Sequence, residues 1–430
     1  MRILVLGGYG LIGLSIVRTL LSENHTVTGL GRSVRKGKAL APKAKWLQAD
    51  LATLTTPQMW APIVKDIDIV INASGVLQDG VNDSVGKVQR DAINSCIRAC
   101  EECGVAKFIQ ISAPGATIDS DTAFYRTKAE ADEALKASTL QWVIFRPGLV
   151  LSPYAYGGTS LIRTLAAFPY IQPIVLADAK VQTVFIDDVS KAVSYAIHHD
   201  ISGEDVDLVS PDPMPLVDIV LAFRAWLGFS RPKSVLRLPY ALGNVIAKFA
   251  DIAGWFGWRS ALRSTSLRVL SNNVSGDPKP WLVTAGVEVR SFQDALEATP
   301  STIQERIYAR AMLLFPILVL ILSFFWLVSG IIGLANYRDA MSVFHANTPG
   351  ALQKLSVFGG SAIDILIGGC ILFRPLTRVA SFISVVIAVT YLIASVFFAP
   401  HLWGDPLGPM IKVFPVIALG LIVASLAEER

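Results

Sequence analysis

This sequence has few histidines, few cysteines and little net charge, and each of these shortages argues against a class of function. The 430 residues include 5 histidines and 4 cysteines, and the formal net charge is +4. Cys96, Cys100 and Cys103 share one segment of helical pattern, where small core residues are expected rather than metal or thiol ligands. So small a net charge does not favour nucleic acid as a partner. We therefore expect no bound metal and no nucleic acid.

Charged residues are also scarce, and their distribution divides the chain. They make up 17% of the sequence against 52% hydrophobic residues, and residues 311–430 hold only eleven of them. The first 310 residues instead have the composition of a globular protein. The chain starts with a strand pattern rather than a signal peptide. We expect a cytoplasmic N-terminal part followed by a membrane domain.

The clearest motif lies at the start of the chain. Arg2–Leu6 is an apolar run typical of a buried parallel strand, and a helical pattern begins nine residues after Arg2. Between them lies Gly7-Gly8-Tyr9-Gly10-Leu11-Ile12-Gly13, in which Gly8, Gly10 and Gly13 satisfy the GxGxxG spacing. A strand, a glycine turn and a helix N-terminus in this order predict a site for the pyrophosphate of a dinucleotide.

The residue after the second predicted strand bears on the choice of dinucleotide. NAD-specific folds carry an acidic residue about twenty positions beyond the glycines, where it binds the ribose 2′-hydroxyl. Here Thr26–Gly31 is followed by Arg32 and then by further basic residues. A guanidinium attracts the 2′-phosphate of NADP, which a carboxylate would repel. We predict a preference for NADP(H) over NAD(H), with Arg32 as its main determinant; a solvated basic loop is the alternative.

Further strand patterns alternate with helical segments. They cover residues 45–51, 68–75, 107–112, 141–148 and 206–209. This alternation predicts an α/β fold with a doubly wound parallel sheet of the Rossmann type over residues 1–230. Asp50 falls near the adenine position, and Ala73, Ser74 and Gly75 follow a strand where the backbone would pass close to the cofactor. Residues 153–183 are expected to form a loop and lid.

Together these motifs resemble the atypical and extended short-chain dehydrogenase/reductase superfamily. Within it, the chain is most similar to the group that includes the nucleotide-binding accessory subunit of respiratory complex I. The matching residues are Gly7 to Gly13, Asp50-Leu51, Asn72-Ala73-Ser74-Gly75, Ser112-Ala113, Lys128-Ala129-Glu130 and Arg146-Pro147-Gly148. The resemblance implies cofactor contacts from Gly7, Gly8, Tyr9, Gly10, Leu11, Ile12, Gly13, Asp50, Leu51, Ala73, Ser74, Gly75, Lys128 and Pro147.

The catalytic pattern of that superfamily is incomplete in this chain. Its reductases use a Ser, Tyr and Lys set in which the Tyr precedes the Lys by four residues and has its pKa lowered by the ammonium. Lys128 is present, but Phe124 occupies the tyrosine position. Tyr125, three residues before Lys128, is a neighbour on a helix and is our candidate replacement. Ser112 would then hydrogen-bond a carbonyl, while Lys128 would hold the nicotinamide ribose.

Residues 231–305 are predicted to form a substrate or interfacial helical segment. Residues 238–258 are apolar apart from Lys248 and Asp251 and end in Trp255, Phe256 and Trp258. Aromatic and arginine residues at the end of an apolar helix are typical of the membrane interface. A buried helix of the substrate region is the alternative.

Four apolar stretches predict an all-α transmembrane four-helix domain at residues 306–430. They lie near 311–334, 355–373, 379–399 and 410–427. The first, with 24 residues, would be about 36 Å long at ~1.5 Å per residue, enough to cross a bilayer. The first stretch is preceded by Arg306 and Arg310, and the short turn between the second and third stretches contains Arg374 and Arg378. The positive-inside rule therefore places the nucleotide-binding domain and both termini in the cytoplasm.

Asp364 lies in the middle of the second stretch, with Gly360 and Gly368 on the same helix face. A carboxyl inside the bilayer requires a partner or a role, so we predict a membrane polar site, either bonded across the bundle or linked to proton or quinone chemistry. The four apolar stretches with this Asp resemble the DoxX family of membrane proteins.

These features support three functions. The first is a membrane-anchored NAD(P)H-dependent oxidoreductase acting on a hydrophobic carbonyl or quinone-like substrate. The second is a non-catalytic NADP(H)-binding assembly or sensor protein of a membrane complex, and the third a nucleotide-sugar epimerase or dehydratase. The expected partners are a hydrophobic small molecule, the lipid bilayer, and a membrane complex or second copy of the chain.

Overall fold

The computed structural model describes residues 1–80, 83–258, 260–344 and 347–427. The chain divides into two compact units. The first consists of Met1–Asp251 and Ser260–Ala309, and the second of Ile252–Arg259 and Arg310–Arg430.

In the part of the chain that the structure describes, the strands all precede residue 239. In order they are β1 (Arg2–Leu6), β2 (Thr26–Gly31), β3 (Lys45–Gln48), β4 (Ile69–Asn72), β5 (Lys107–Ile111), β6 (Gln141–Pro147), β7 (Leu149–Leu151), β8 (Ile171–Val175), β9 (Lys180–Val181), β10 (Thr183–Phe185), β11 (Glu204–Leu208), β12 (Met214–Pro215) and β13 (Ser234–Leu238). The helices up to residue 297 are α1 (Leu11–Ser22), α2 (Val34–Leu40), α3 (Pro57–Val64), α4 (Ala92–Cys103), α5 (Ala123–Lys136), α6 (Gly157–Ala166), α7 (Ile186–His198), α8 (Leu216–Trp226), α9 (Tyr240–Trp255), α10 (Ser264–Ser271), α11 (Lys279–Ala285) and α12 (Phe292–Glu297).

Seven strands form a parallel sheet in the order β11-β6-β5-β4-β1-β2-β3. This confirms the prediction of a doubly wound Rossmann-type sheet. The strand order reverses between β1 and β4, whose register pairs Ile3 with Ile69 and Leu6 with Asn72. In such sheets the ligand binds outside the carboxyl ends of the strands at this reversal. The glycine turn after β1 and the small residues after β4 therefore flank one crevice.

The alternating side chains of β1 fill both faces of the sheet. Ile3 and Val5 pack with the apolar face of α1, whereas Leu4 and Leu6 pack with α3 and α4. Cys96 and Cys100 lie fully buried in the second cluster. They are therefore small core residues, as the sequence indicated.

The structure shows which elements form in two segments for which the sequence patterns led to specific expectations. The expected loop and lid at residues 153–183 contains α6 and β8, and β8 pairs in parallel with β13. The prediction of an irregular loop there was wrong, because the pairing partner of β8 lies about sixty residues further along the chain. The apolar segment at 238–258 forms α9, which is continuous across Lys248 and Asp251.

The second unit is helical. Its helices are α13 (Ile303–Ala335), α14 (Tyr337–Ser342), α15 (Gly350–Leu372), α16 (Arg374–Phe398) and α17 (Val413–Leu426). In the described residues, α13, α15 and α16 are long and apolar enough to cross a membrane. The fourth predicted span is shorter than expected, since α17 has 14 residues and is about 21 Å long at ~1.5 Å per residue.

Candidate functional site

The glycine turn brings β1, α1 and the exit of β4 into close contact. Gly7 has φ +67°, and a Cβ there would lie 3.0 Å from the Cα of Ser74 and 3.1 Å from the carbonyl oxygen of Ala73. A Cβ on Gly13 would overlap the carbonyl oxygen of Gly7. Gly10 donates a backbone hydrogen bond of 2.8 Å to that same oxygen. Only glycine fits these positions, and the backbone can thus approach a pyrophosphate at the N-terminus of α1.

Tyr9 closes one side of the turn. Its ring packs on Gly31, where a Cβ would overlap it, and lies 6.1 Å from the Trp46 ring between centroids. Leu11 and Ile12, the first residues of α1, are half-buried. These side chains therefore border the glycine turn at the N-terminus of α1.

Arg32 follows β2 directly, as predicted for a residue near the adenosine ribose. Its Nη1 forms an ion pair of 2.8 Å with Asp83, and its side chain is 44% exposed. Ser33 caps α2 by accepting a hydrogen bond of 3.3 Å from the Lys36 N–H. A 2′-phosphate at this position would compete with Asp83 for the guanidinium.

Asp50 and Leu51 lie just beyond the carboxyl end of β3. The Asp50 carboxylate accepts a hydrogen bond of 3.1 Å from the N–H of Ala52 and caps the short 3₁₀ turn that begins at Leu51. Leu51 is buried. The carboxylate is thereby fixed at the same edge of the sheet as the glycine turn.

Polar bonds organise the exit of β4. The Asn72 side-chain amide donates a hydrogen bond of 2.9 Å to Gln110 on β5. The Asn72 side-chain carbonyl accepts hydrogen bonds from the N–H of Ser74 at 3.0 Å and from its hydroxyl at 2.5 Å. Ala73 donates its N–H to the carbonyl of Leu6 at 3.1 Å. Ala73, Ser74 and Gly75 are thus held beside the glycine turn, where the sequence patterns predicted them.

Lys128 connects this exit to α5. A Cβ on Gly75 would lie 3.8 Å from the Lys128 Nζ, which donates a hydrogen bond of 2.9 Å to the carbonyl of Ile111. The ammonium lies 5.8 Å from the centroid of the Phe124 ring. Lys128 is buried, and this desolvation lowers its pKa to about 8. A titratable cation therefore lies next to the stretch of protein backbone that is predicted to contact the cofactor.

Ser112 lies at the end of β5 and is bonded to a carboxylate that the sequence analysis missed. Its hydroxyl donates a hydrogen bond of 2.5 Å to the carboxylate of Asp132. Asp132 is fully buried and lies one helical turn after Lys128. Arg146 forms an ion pair with Asp132 at 2.9 Å and with Asp205 at 2.6 Å. Burial raises the pKa of Asp132, although Arg146 acts in the opposite direction. The i, i+4 spacing of Lys128 and Asp132 was the available sequence signal.

Tyr125 lies on α5 but differs electrostatically from a typical catalytic tyrosine. It is 5% exposed, and burial raises its pKa to about 12. It lines a surface pocket with residues that include Gly115, Ser120 and Asn273. Its ring lies 5.3 Å from that of Phe124. Pro147 ends β6 and is buried.

Asp364 lies inside the helical second unit and is bonded to two neighbouring helices. Its oxygens accept hydrogen bonds from Ser329 on α13 at 3.0 Å and from Tyr391 on α16 at 2.9 Å. A Cβ on Gly360 would lie 3.1 Å from the Tyr391 hydroxyl oxygen. The predicted bonding of Asp364 across the bundle therefore involves two hydroxyl donors.

Two family models match the chain. Residues 7–164 match a model described as NAD(P)H-binding, and residues 323–421 match the DoxX-like family. The matches confirm the two resemblances inferred from the motifs.

Curated relatives match parts of the chain. A photosystem II assembly factor from Synechocystis is 33% identical over 26% of this chain and 33% of its own length. A ceramide reductase from Caulobacter vibrioides is 22% identical over 43% of this chain and 57% of its own length. Subunit 9 of the NADH dehydrogenase (ubiquinone) 1 alpha subcomplex from Arabidopsis thaliana is 25% identical over 57% of this chain and 62% of its own length. The chain spans 33%, 44% and 66% of the lengths of the first three such relatives.

Solved structures share the fold of the first unit. A dTDP-glucose 4,6-dehydratase from Bacillus anthracis in complex with NAD aligns with a TM-score of 0.53 over 71% of this chain and 96% of its own. The sequence identity is 16%, so this likeness supports the fold alone.

Proposed function

We propose that this chain, which joins an NAD(P)H-binding domain of the short-chain dehydrogenase and epimerase type to a DoxX-like membrane domain, is a membrane-bound NAD(P)H-dependent reductase of hydrophobic carbonyl or quinone-like compounds. The observation that carries the proposal is the buried Lys128 ammonium beside Gly75 and the glycine turn. The crevice fits the cofactor because added Cβ atoms on Gly7 and Gly13 would crowd its backbone walls.

The side chains near Lys128 have distinct roles in this proposal. A bound NAD(P)H supplies the hydride that reduces the substrate carbonyl carbon. Lys128 holds the nicotinamide ribose. The Ser112 hydroxyl, which otherwise donates its one proton to Asp132, turns to donate it to the substrate carbonyl oxygen. Tyr125 donates the proton to that oxygen. Burial raises the pKa of Tyr125 to about 12, so the phenol holds the proton that reduction requires but is a weaker acid than a tyrosine whose pKa is lowered by an ammonium.

Tyr125→Phe tests the catalytic assignment. We expect kcat to fall about 100-fold, within the usual contribution of a general acid, with little change in NADPH affinity. The assay is NADPH oxidation by the full-length protein in detergent, with quinones and long-chain ketones as substrates. Tyr170→Phe is the control, because Tyr170 is 72% exposed and its replacement removes a phenol without changing α5 or the glycine turn. Equal turnover in Tyr125→Phe and the wild type would eliminate Tyr125 as the acid.

We also propose that NADP(H) is preferred and that Arg32 binds its 2′-phosphate. Arg32→Asp is expected to weaken NADPH binding at least tenfold and to leave NADH binding equal or tighter. The reason is that a carboxylate there repels the phosphate and can accept a bond from a free ribose 2′-hydroxyl. Calorimetric titration of both cofactors measures the ratio, with the exposed Arg35→Ala as a control for general loss of positive charge. Unchanged NADPH affinity in Arg32→Asp would contradict the assignment.

The α9 helix is proposed to lie at the membrane interface and to admit lipid-soluble substrates. Its Val245, Phe249 and Trp255 side chains are each at least half exposed, with Phe249 at 67%. Just beyond α9, the Trp258 indole N–H donates a hydrogen bond of 2.7 Å to the carbonyl of Leu372. The carbonyl of Phe256 accepts a hydrogen bond of 2.9 Å from the N–H of Arg374. The end of α9 is therefore fixed at the turn between two membrane-length helices.

A fluorescent label at Phe249→Cys tests this position. In nanodiscs we expect lipids brominated along the acyl chain to quench it strongly, because an interfacial helix buries its apolar face among the acyl chains. The same label at Lys248→Cys, on a neighbouring face of the helix, should be quenched weakly. Equal quenching at both positions would argue for an aqueous or protein-buried helix.

The nucleotide-binding domain and both termini are proposed to face the cytoplasm. The support is the basic flanks of the membrane helices, which include Arg306, Arg310 and Arg374. Protease accessibility of the first unit in inside-out vesicles, and protection in right-side-out vesicles, would test this orientation.

The second candidate is a non-catalytic nucleotide-binding protein that assembles or senses a membrane complex. Phe124 at the usual tyrosine position favours it. So does the similarity to the photosystem II assembly factor of Synechocystis and to the NADH dehydrogenase (ubiquinone) subunit of Arabidopsis thaliana. NADPH binding without turnover of any carbonyl or quinone, together with co-purification of a membrane complex, would favour this candidate. A nucleotide-sugar epimerase ranks third, because it requires the same missing tyrosine.

A further inference from the structure

Three potential metal ligands meet at the edge of the sheet opposite the glycine turn. Glu23 is the residue after α1, His25 directly precedes β2, and His198 ends α7. The ligand atoms of these three residues all lie within 4.8 Å of one another. The His198 Nε2 is 3.3 Å from Glu23 Oε2, and the His25 Nε2 is 3.8 Å from the same oxygen.

The His25 imidazole is the strongest indication of a ligand. Its side chain is 10% exposed, and its Nε2 has no hydrogen-bond partner among the residues that the structure describes. Buried nitrogen atoms are nearly always paired, so this one requires an explanation. A cation placed between the His25 Nε2 and the Glu23 Oε2, which lie 3.8 Å apart, would give this nitrogen a partner.

The Glu23 carboxylate is oriented by a neighbouring residue. Ser194 on α7 donates a hydrogen bond of 2.6 Å to Glu23 Oε1. The other oxygen, Oε2, is therefore directed towards the two imidazoles. Metal-binding carboxylates are commonly held by such outer contacts. His198 is 50% exposed on its side chain, which leaves one side of the cluster open to water.

We propose that Glu23, His25 and His198 bind a divalent transition-metal ion, with Zn²⁺ as the best fit. Two imidazoles and one carboxylate are a zinc ligand set, and bonds of ~2.0–2.2 Å in a tetrahedron place ligand atoms roughly 3.3–3.5 Å apart. Water would complete the coordination on the open side. The ion would join the α1–β2 turn to α7. Since it lies at the sheet edge remote from the nucleotide crevice, it stabilises the domain and takes no part in hydride transfer. This proposal differs from the expectation of no bound metal that was drawn from the sequence.

The test uses the full-length protein in detergent after removal of metals with a chelator. Zn²⁺ is titrated by calorimetry, Co²⁺ is titrated by visible absorption, and thermal unfolding is followed with and without Zn²⁺. We expect one equivalent of Zn²⁺ to bind at micromolar concentration or tighter, tetrahedral cobalt bands, and a higher unfolding temperature. His25→Gln and His198→Gln should each weaken Zn²⁺ binding at least 30-fold.

His199→Gln is the matched control. His199 is adjacent in sequence, but its ring stacks on Tyr195 at 3.9 Å between centroids and its Nδ1 lies 3.1 Å from the Tyr195 carbonyl oxygen. Its replacement should leave Zn²⁺ affinity unchanged. NADPH binding by each variant verifies that the domain is folded, and the partly exposed His198→Gln serves if His25→Gln misfolds. Zn²⁺ affinity that survives both the His25 and His198 replacements, or that is absent in the wild type, would overturn the proposal.

Discussion

Gly13→Ala is expected to weaken NAD(P)H binding at least 30-fold, about 2 kcal/mol of binding free energy. In an ordinary helix this substitution raises stability by roughly 0.5–1 kcal/mol, because alanine has the higher helix propensity. At this position the new Cβ would overlap the carbonyl oxygen of Gly7. The turn and α1 would have to separate, and the backbone N–H groups would move away from the pyrophosphate. Calorimetric titration of the full-length protein with NADPH measures the loss.

Gly86→Ala is the matched control for that experiment. A Cβ on Gly86 would make only an ordinary contact, 3.7 Å from the Arg90 guanidinium. Its effect on NADPH affinity should be less than twofold. If Gly13→Ala bound NADPH as tightly as the wild type, the glycine turn would not be the pyrophosphate site, and the first unit would require another ligand.

Arg146→Met should destabilise the first unit by about 3–5 kcal/mol, the usual cost of removing one partner from a buried ion pair. Arg146 is the ion-pair partner of the fully buried Asp132, and it also donates 3.2 Å to the carbonyl of Ala113. Methionine preserves much of the volume but removes the ion-pair partner of the Asp132 carboxylate, with Lys128 as the remaining nearby cation. Urea unfolding followed by pulse proteolysis of the first unit measures the change.

The pH dependence and a double variant identify the cause. Without Arg146 the pKa of Asp132 would rise further, so the folded state would hold a proton that the unfolded state releases. The variant should therefore gain stability as pH falls through that pKa and lose it as pH rises. Adding Asp132→Asn to Arg146→Met should restore part of the lost stability at neutral pH. A destabilisation below 1 kcal/mol, or one independent of pH, would show that loss of the Arg146–Asp132 ion pair is not what destabilises the variant.

Local patterns were sufficient to predict most elements of the first unit. The apolar run of Arg2–Leu6, the glycines after it and the helical spacing of α1 all act over a few residues, and the structure confirms each. The same holds for α13, α15 and α16, whose length and apolar composition satisfy the bilayer requirement. The prediction was less accurate where a boundary depended on distant residues, as in α17 and in the segment that contains β8.

The sequence by itself determined the type of fold, the position of the glycine turn and the existence of a membrane unit, because these depend on periodicity and backbone freedom within short segments. Only the tertiary structure decided the electrostatic environment of the site. It paired Ser112 with Asp132, Arg32 with Asp83, and buried Tyr125 so that its pKa rises. It also brought His198 to Glu23 and His25 across more than 170 residues. Such pairings arise when separate helices and strands pack on one sheet, and no short stretch of sequence contains that information.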